Sequence, residues 1–235
     1  MKESNINETL ADAVLDQPRE FFIGSRRFCI WSPTLGMSLR LSRHLAALGV
    51  SNQLMARNPA MEALRLAATR KEEVCTVLAL SSFRRKSDLD DSTRIRKRAV
   101  YFEKNLSEKE TASLLLAVLS APRAESLIEE SGLAREHEEQ ARISRVKNKN
   151  GNTVMFGGRT IYGSLIAPAC ERFHLTPHQA VWETSLVNLR MLLADQISSI
   201  YLTEEETRQC GVRTDSVIDA GNPENISKIR AMDWS

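Results

Sequence analysis

The fold class is decided by residues 107–119, SEKETASLLLAVL. Ser107 and Glu110 have the three-residue spacing of a capping box, which satisfies free backbone N–H groups at the first turn of a helix. Alanine, leucine and valine positions follow at once, and Pro122 ends the run. The pattern predicts a helix that begins at this cap, and it is typical of a mainly α protein.

Two further helical patterns lie upstream of this segment. Ser32-Pro33-Thr34 offers an N-cap, and leucines then form a helical stripe that stops at Gly49. Asn58-Pro59 starts a second pattern, whose apolar positions continue through Phe83 with a break near residues 69–71. We therefore expect a body of several helices.

The chain before these helices predicts a β-hairpin. Two apolar-rich runs, residues 21–23 and 26–31, flank the Gly24-Ser25 pair, which suits a tight turn between antiparallel strands. Residues 1–19 are polar and lack aromatic side chains, so we expect a flexible arm there.

The segment after Pro122 predicts a helix and then a solvent-exposed, highly charged stretch at residues 135–142. Asn150-Gly151 marks a turn, and residues 153–156 predict a strand of a second short hairpin. These features divide the chain into a flexible arm at 1–19, a hairpin plus helical domain at 20–147, a short hairpin and C-terminal helical unit at 148–210, and a loosely ordered tail at 211–235.

A long amphipathic helix is predicted near the C-terminus. Thr176 is placed as its cap and Pro177 as its first residue. The apolar positions then repeat at spacings of 4, 3, 4, 4 and 3: Trp182, Leu186, Leu189, Leu193, Ile197 and Ile200. This seam predicts a continuous helix of about 26 residues with one face against an apolar surface.

Composition excludes several classes of function. With 32 basic and 30 acidic side chains, the formal charge of +2 gives no general attraction to nucleic acid or to an anionic membrane. The apolar stretches are shorter than the roughly 20 residues that cross a bilayer, and the N-terminus lacks the apolar run of a secretory signal. We therefore expect a cytoplasmic protein without membrane contact, whose four separated cysteines are reduced.

Three short patterns were weighed as sites of chemistry. Cys170, His174 and His178 have the spacing C-x3-H-x3-H, but a proline interrupts the helix between the histidines and a fourth zinc ligand is not evident. Residues 162–165, YGSL, lack the second glycine of a nucleophile elbow. Gly157-Gly158 lacks the Gly-Lys-Ser/Thr ending of a phosphate-binding loop. We therefore predict no enzyme activity and neither a metal nor a cofactor.

One basic concentration occurs in the chain, at residues 84–98. It contains seven lysine and arginine side chains, and Asp88, Asp90 and Asp91 interrupt it. A solvated helix face with its connecting turn is one interpretation, and contact with phosphates is the other. Few aromatic side chains lie nearby to stack on bases, which makes nucleic acid an improbable partner.

Two stretches resemble a known family. Residues 21–42, FFIGSRRFCIWSPTLGMSLRLS, are similar to the opening of tail-assembly chaperones of long-tailed phages, in which a short hairpin precedes a helical body. Residues 156–166, FGGRTIYGSLI, together with 169–173 and 182–195, resemble the C-terminal half of related proteins from phages and prophages of gut bacteria. The resemblance implies a factor in the host cytoplasm that binds the hydrophobic tape-measure protein while the tail tube grows around it.

A chaperone of this kind would shield an apolar or amphipathic helix, and burial of that helix in a groove is the natural mode of binding. The candidate partner-binding residues are apolar side chains of the hairpin and of the long helix: Phe22, Trp31, Trp182, Leu186, Leu189 and Leu193. Packing in the protein's own core is the alternative for each of them. The alternative functions are a nucleic-acid-associated adaptor that uses the basic stretch and an unrecognised enzyme, and self-association is left open.

Overall fold

The computed structural model describes residues 11–120, 124–149, 158–197 and 200–211. A two-stranded antiparallel sheet precedes a series of helices, which confirms the predicted mainly α fold with an N-terminal hairpin. The strands are β1 (Arg19–Ile23) and β2 (Arg26–Ile30). The helices of the N-terminal half are α1 (Leu35–Leu48), α2 (Asn52–Arg57), α3 (Pro59–Thr69), α4 (Lys71–Ser81), α5 (Lys86–Asp90), α6 (Ser92–Asn105) and α7 (Glu108–Leu119).

Further helices follow, and two of the helical turns are π-helical. They are α8 (Ala124–Glu130), α9 (Leu133–Lys149), the first π-helical turn (Tyr162–Ile166), α10 (Ala167–Phe173), the second π-helical turn (Gln179–Glu183), α11 (Leu186–Ala194) and α12 (Glu204–Cys210). A left-handed glycine, Gly132 with φ +83°, separates α8 from α9. Such a conformation favours glycine because it has no Cβ.

The predicted caps are where the helices begin. The Ser107 and Glu110 side chains form the complete capping box at the start of α7. The Thr34 hydroxyl accepts from the Met37 N–H at the start of α1, and Gly49, with φ +65°, ends that helix. The predicted interruption near residue 70 is also confirmed, because α3 ends at Thr69 and α4 begins at Lys71.

The hairpin closes one side of the helical body. Its register pairs Phe21 with Phe28, and the centroids of these two rings lie 5.6 Å apart. Phe28 meets Phe102 of α6 edge-to-face at 5.0 Å, a favourable geometry for two aromatic rings. The Trp31 N–H donates to the Ser81 carbonyl at 3.1 Å, which joins the end of the hairpin to the end of α4.

Helix α4 is the centre of the main core. It packs against α1, α6 and α7, while α3 packs against α7. Every residue from Val77 to Phe83 is buried, as are Val74 and Cys75. A helix that is apolar on nearly all sides is expected only where other elements surround it.

A smaller core forms near the C-terminus. Ala169, Ala180 and Leu189 are each fully buried there, with Leu165 and Leu175 packed against them. Helix α11 is tied to the helical body by an ion pair between Arg190 and Glu125 of α8.

The predicted continuous helix over residues 177–202 is wrong. Its cap is correct, since the Thr176 hydroxyl accepts from the Gln179 N–H, but the helix stops at the second π-helical turn. Thr184 is extended, and Ser185 caps the separate helix α11, which ends at Ala194. Ser185 also forms a β-bridge with Thr34, and this tertiary contact competes with helix continuation. Ile197, a member of the predicted seam, is 97% exposed.

Two compact units divide the chain, and both are discontinuous. One comprises residues 1–133 and 157–196, and the other comprises residues 134–156 and 197–235. The sequence placed residues 148–210 in a single C-terminal unit, whereas residues 157–196 pack with the N-terminal helices. The predicted second hairpin at residues 150–156 lies outside the described residues, as do residues 212–235 of the predicted tail.

Part of the predicted flexible arm has a defined conformation. Residues 11–15 are helical, and the Asp16 carboxylate lies 3.4 Å from the Arg84 guanidinium. Burial raises the pKa of Asp16, while the Ser32 hydroxyl and Arg84 act in the opposite direction. In the second unit, Arg142 donates to the Cys210 carbonyl and Lys147 donates to the Tyr201 carbonyl, so α9 holds the segment around α12.

Candidate functional site

A groove of about 910 Å³ lies between α1, α4 and α6 in the first unit. Each helix contributes one face, because the lining positions repeat every three or four residues. The lining side chains of α1 are Gly36, Leu39, Arg40, Arg43 and His44; those of α4 are Glu72, Thr76 and Leu80; those of α6 are Ser92, Ile95, Arg96, Ala99, Val100 and Glu103. Helix α4 forms the floor, and α1 and α6 form the walls.

The walls run parallel to each other and antiparallel to the floor. Trp31, just before α1, donates its N–H to the Ser81 carbonyl at the end of α4. Arg70, just before α4, donates to the Ala47 carbonyl in the last turn of α1. Lys71 donates to the Leu106 carbonyl just after α6. The groove therefore has two distinct ends, one at the start of both walls and one at their carboxyl-terminal turns.

Trp182 closes the first end. Its ring lies against Gly36, where an added Cβ would stand 2.6 Å from ring carbons, so a larger residue would displace the tryptophan. The Arg40 guanidinium lies 5.5 Å and the Lys86 ammonium 5.6 Å from the ring centroid. Asp90 pairs with both cations, and these pairs lower the pKa of its carboxyl. The four charged and aromatic groups hold one another in place.

The second end carries two glutamates of the groove lining. Glu72 of α4 and Glu103 of α6 lie there, because the start of α4 meets the end of α6. Farther from this end, Arg43 stands on the α1 wall and Arg96 stands on the second turn of the α6 wall. Within the described residues, none of these four side chains forms an ion pair with the protein.

Apolar side chains between the two ends face solvent. Leu39 is 47% exposed on the α1 wall, and Val100 is 38% exposed on the α6 wall. Ile95 is half-buried, whereas Leu80 and Ala99 are buried below them. A slot of this composition, with apolar sides and a few placed charges, suits the apolar face of an amphipathic helix.

The basic concentration at residues 84–98 is largely engaged within the protein. Arg84 stacks on Trp31 at 4.7 Å, and Arg94 pairs with Asp88. Arg98 lies 3.6 Å from the Phe83 ring centroid and donates to the Ser82 carbonyl, and its burial lowers the pKa of its guanidinium. Arg85, Arg96 and Lys97 are exposed and form no ion pair within the described residues, so four of the seven cations are engaged.

The predicted partner-binding residues do not form one surface. Trp182 lines the groove, and Trp31 lies beneath Arg84 at another cleft. Phe22 is 63% exposed on the hairpin, and Leu186 and Leu193 are half-buried. Leu189 is fully buried in the small core, so the core-packing alternative is the one that holds for this residue.

Sequence reasoning missed the walls of the groove. Leu39 was assigned to a leucine stripe and Arg96 to a basic run, although both face the same slot. The three- and four-residue spacing from Ile95 to Glu103 was a usable signal, but nothing local indicates that this face lacks a neighbour.

The patterns weighed for chemistry show no assembled site in the described part of the chain. No group of three or more His, Cys, Asp or Glu side chains there is arranged to hold a metal ion, and this covers Cys170, His174 and His178. Ser164 lies in the first π-helical turn. Burial raises the pKa of the Cys75 thiol to about 11, which makes it a poor nucleophile at neutral pH.

Comparison of the chain with protein-family models, with curated proteins and with solved structures gave no significant match. Among the described residues, no single helix is long and apolar enough to cross a membrane, and only α7 and α8 taken together, as a bent pair, reach that length and composition.

Proposed function

We propose that this protein is a phage tail-assembly chaperone, which binds a helical segment of the tape-measure protein in the groove between α1, α4 and α6. The observation that carries the proposal is that three helix faces meet at an open slot with Leu39 and Val100 exposed on its two walls. A fourth helix would bury both side chains at once, and burial of apolar area favours association by about 25 cal/mol per Å².

The dimensions of the slot support a helical occupant. Both walls are helices of 14 residues, and a helix of that length spans about 21 Å. An extended peptide would leave backbone N–H and C=O groups facing side chains of the walls, whereas a helix satisfies its own backbone. A helix also presents apolar positions at the spacing that the walls provide.

The tape-measure protein is proposed as the partner because residues 21–42, and a C-terminal stretch made of residues 156–166, 169–173 and 182–195, resemble tail-assembly chaperones and related phage proteins. These two stretches are far apart in the sequence but meet at the end of the groove. Gly36 touches Trp182, and the Leu186 N–H donates to the Pro33 carbonyl at 2.8 Å. The resembling residues thus build and close one part of the proposed binding site.

The test is co-expression with the tape-measure protein of the same phage or prophage, followed by affinity capture and size-exclusion chromatography. The wild-type protein should keep that partner soluble and elute with it. The double variant Leu39→Glu, Val100→Glu should lose the complex, because it places charges on both apolar walls.

Met61→Glu is the matched control. Met61 is 53% exposed on α3, away from the groove, so this variant should retain the complex. A tape-measure protein that aggregates equally with and without the wild-type chain would overturn the proposed function. A complex that survives the double variant would keep the function and reject the groove as its site.

A further inference from the structure

The unpaired charges of the groove specify the chemistry and the direction of its occupant. Glu72 and Glu103 belong to neighbouring helices at the second end, and both are without an ion-pair partner among the residues that the structure describes. Lys71, at the start of α4, is engaged with the Leu106 carbonyl at 2.7 Å, so an ion pair with either glutamate is left to a cation of the occupant. Their electrostatic demand is therefore for a cation or a positive dipole at that end.

The walls add a directional preference. Helices α1 and α6 both point their carboxyl-terminal turns toward the second end and α4 points its amino-terminal turn there, so two negative helix ends meet one positive end. The amino-terminal turn of an incoming helix carries a positive partial charge. A helix that lies antiparallel to both walls therefore places its positive end over Glu72 and Glu103.

The flanks of the same helix would meet cations. Arg43 projects from the α1 wall and Arg96 from the α6 wall, and neither forms an ion pair within the described ranges. His44 also lies on the α1 wall, while Arg40 is already paired with Asp90. Acidic residues on both sides of an apolar stripe would complement Arg43 and Arg96.

We propose, on the basis of the proposed function, that the groove selects an amphipathic helix that binds antiparallel to α1 and α6. The amino-terminal end of this helix carries basic residues over Glu72 and Glu103, acidic residues flank its apolar stripe, and the carboxyl-terminal end of the stripe abuts Trp182. The groove thereby distinguishes such a helix from one of the same composition with the charges placed at the other end.

The probes are two synthetic helical peptides of about 18 residues, slightly longer than the walls. Both have a leucine stripe with glutamate flanks. One has two lysines in its first turn and the other has the same two lysines in its last turn. Binding to the full-length protein is measured by fluorescence anisotropy at low and high salt.

The peptide with amino-terminal lysines should bind about fivefold more tightly than the other, because only this peptide makes the two exposed ion pairs in the orientation that the wall dipoles favour. The variant Glu72→Lys, Glu103→Lys should abolish or reverse this preference. The control variant Glu129→Lys, Glu171→Lys makes the same change in net charge on exposed glutamates outside the groove, and it should leave the preference intact.

Equal affinities of the two peptides for the wild-type protein would overturn the proposal, and so would equal effects of the two double variants or an absence of binding. This assay contains no tape-measure protein. Its failure therefore leaves the co-expression result standing, whereas failure of the co-expression test with success here would reject the partner and keep the selectivity of the groove.

Discussion

The helices before residue 120 and the segments after residue 160 bury their apolar side chains in different ways. In the first region, α4 is surrounded by α1, α6 and α7, and the side chains from Val77 in α4 to Phe83 just after it are buried without a gap. In the second region, three fully buried residues form the core, and two of them are alanines. The first region is stabilised by its own packing, and the second depends on a few contacts with the first.

Several of those contacts are polar. The Pro33 carbonyl accepts from the Leu186 N–H, Thr34 bridges to Ser185, and Glu125 pairs with Arg190. Because the region after residue 160 has few buried apolar contacts, it can open locally at a smaller free-energy cost than the main core. Three helices of the main core therefore form most of the groove, while Trp182 comes from the region with the smaller core.

The largest expected effect tests this contrast directly. Leu78 and Leu189 are each fully buried, one in each core. Leu78→Ala should lower the free energy of unfolding by about 4 kcal/mol, because its surroundings cannot collapse into the cavity. Leu189→Ala should cost about 2 kcal/mol, since the smaller core relaxes around the vacated space. Chemical denaturation followed by circular dichroism measures both values.

Leu64→Ala serves as the control, because Leu64 is 39% exposed on α3. This substitution should lower the free energy of unfolding by less than about 1 kcal/mol. Equal losses for Leu78→Ala and Leu189→Ala would mean that the two regions form one cooperative core. The contrast between a self-sufficient and a dependent region would then be wrong.

An effect of intermediate size is expected from the buried carboxylate of Glu62. It accepts two hydrogen bonds at 2.7 Å from Arg65 and another at 2.7 Å from the Ser51 N–H, which ties α2 to α3. Glu62→Gln should destabilise the protein by about 2 kcal/mol. Breaking a wholly buried ion pair would cost more, but Arg65 is 43% exposed and solvent weakens this pair. Glu73→Gln is the control, since Glu73 and its partner Arg70 are both about half exposed.

The same carboxylate gives a dependence on pH. The hydrogen bonds from Arg65, followed by the one from Ser51, hold the pKa of Glu62 below its ordinary value. Because the folded pKa is the lower one, the stabilisation is present above the unfolded pKa of about 4.3 and is lost as the pH falls through the folded pKa. Denaturation between pH 7 and pH 3 should show a loss that Glu62→Gln lacks; parallel curves for the two proteins would contradict it.

The smallest effect on stability is expected at Gly36, where the two regions touch. Gly36→Ala favours the helical state of α1 by about 1 kcal/mol, but its Cβ would clash with the Trp182 ring at 2.6 Å. The two effects offset, so the unfolding free energy should change by less than about 1 kcal/mol. The Trp182 emission should shift to longer wavelength, because the displaced ring gains contact with water.

Fluorescence is measured in a background with Trp31→Phe and Trp234→Phe, so that Trp182 is the remaining tryptophan of the three. Ser42→Ala, a change on the exposed face of the same helix, should leave the emission unchanged. An unaltered spectrum for Gly36→Ala accompanied by a large loss of stability would show that Trp182 is as rigidly held as the main core.

Much of the fold was predictable because its signals are local. Ser107 and Glu110 form their capping box within one helical turn, and Gly24-Ser25 makes its hairpin turn between adjacent strands. The candidate site was less predictable. Trp182 was identified by its place in an apolar seam, but Leu39, Arg43 and Arg96 acquire their role only because α1 and α6 stand on opposite sides of α4.

The sequence by itself determined the mainly α class, the N-terminal hairpin and the starts of α1, α3 and α7, since caps and turns depend on residues within about four positions of each other. Tertiary structure alone decided where the apolar stripes point. An apolar stripe predicts that one face of a helix will be buried, but it does not identify the surface that buries it. Leu189 is buried in the core, whereas Leu39 is exposed. Tertiary structure also decided the break at Thr184, because Ser185 forms a β-bridge with Thr34 and does not continue the preceding helix.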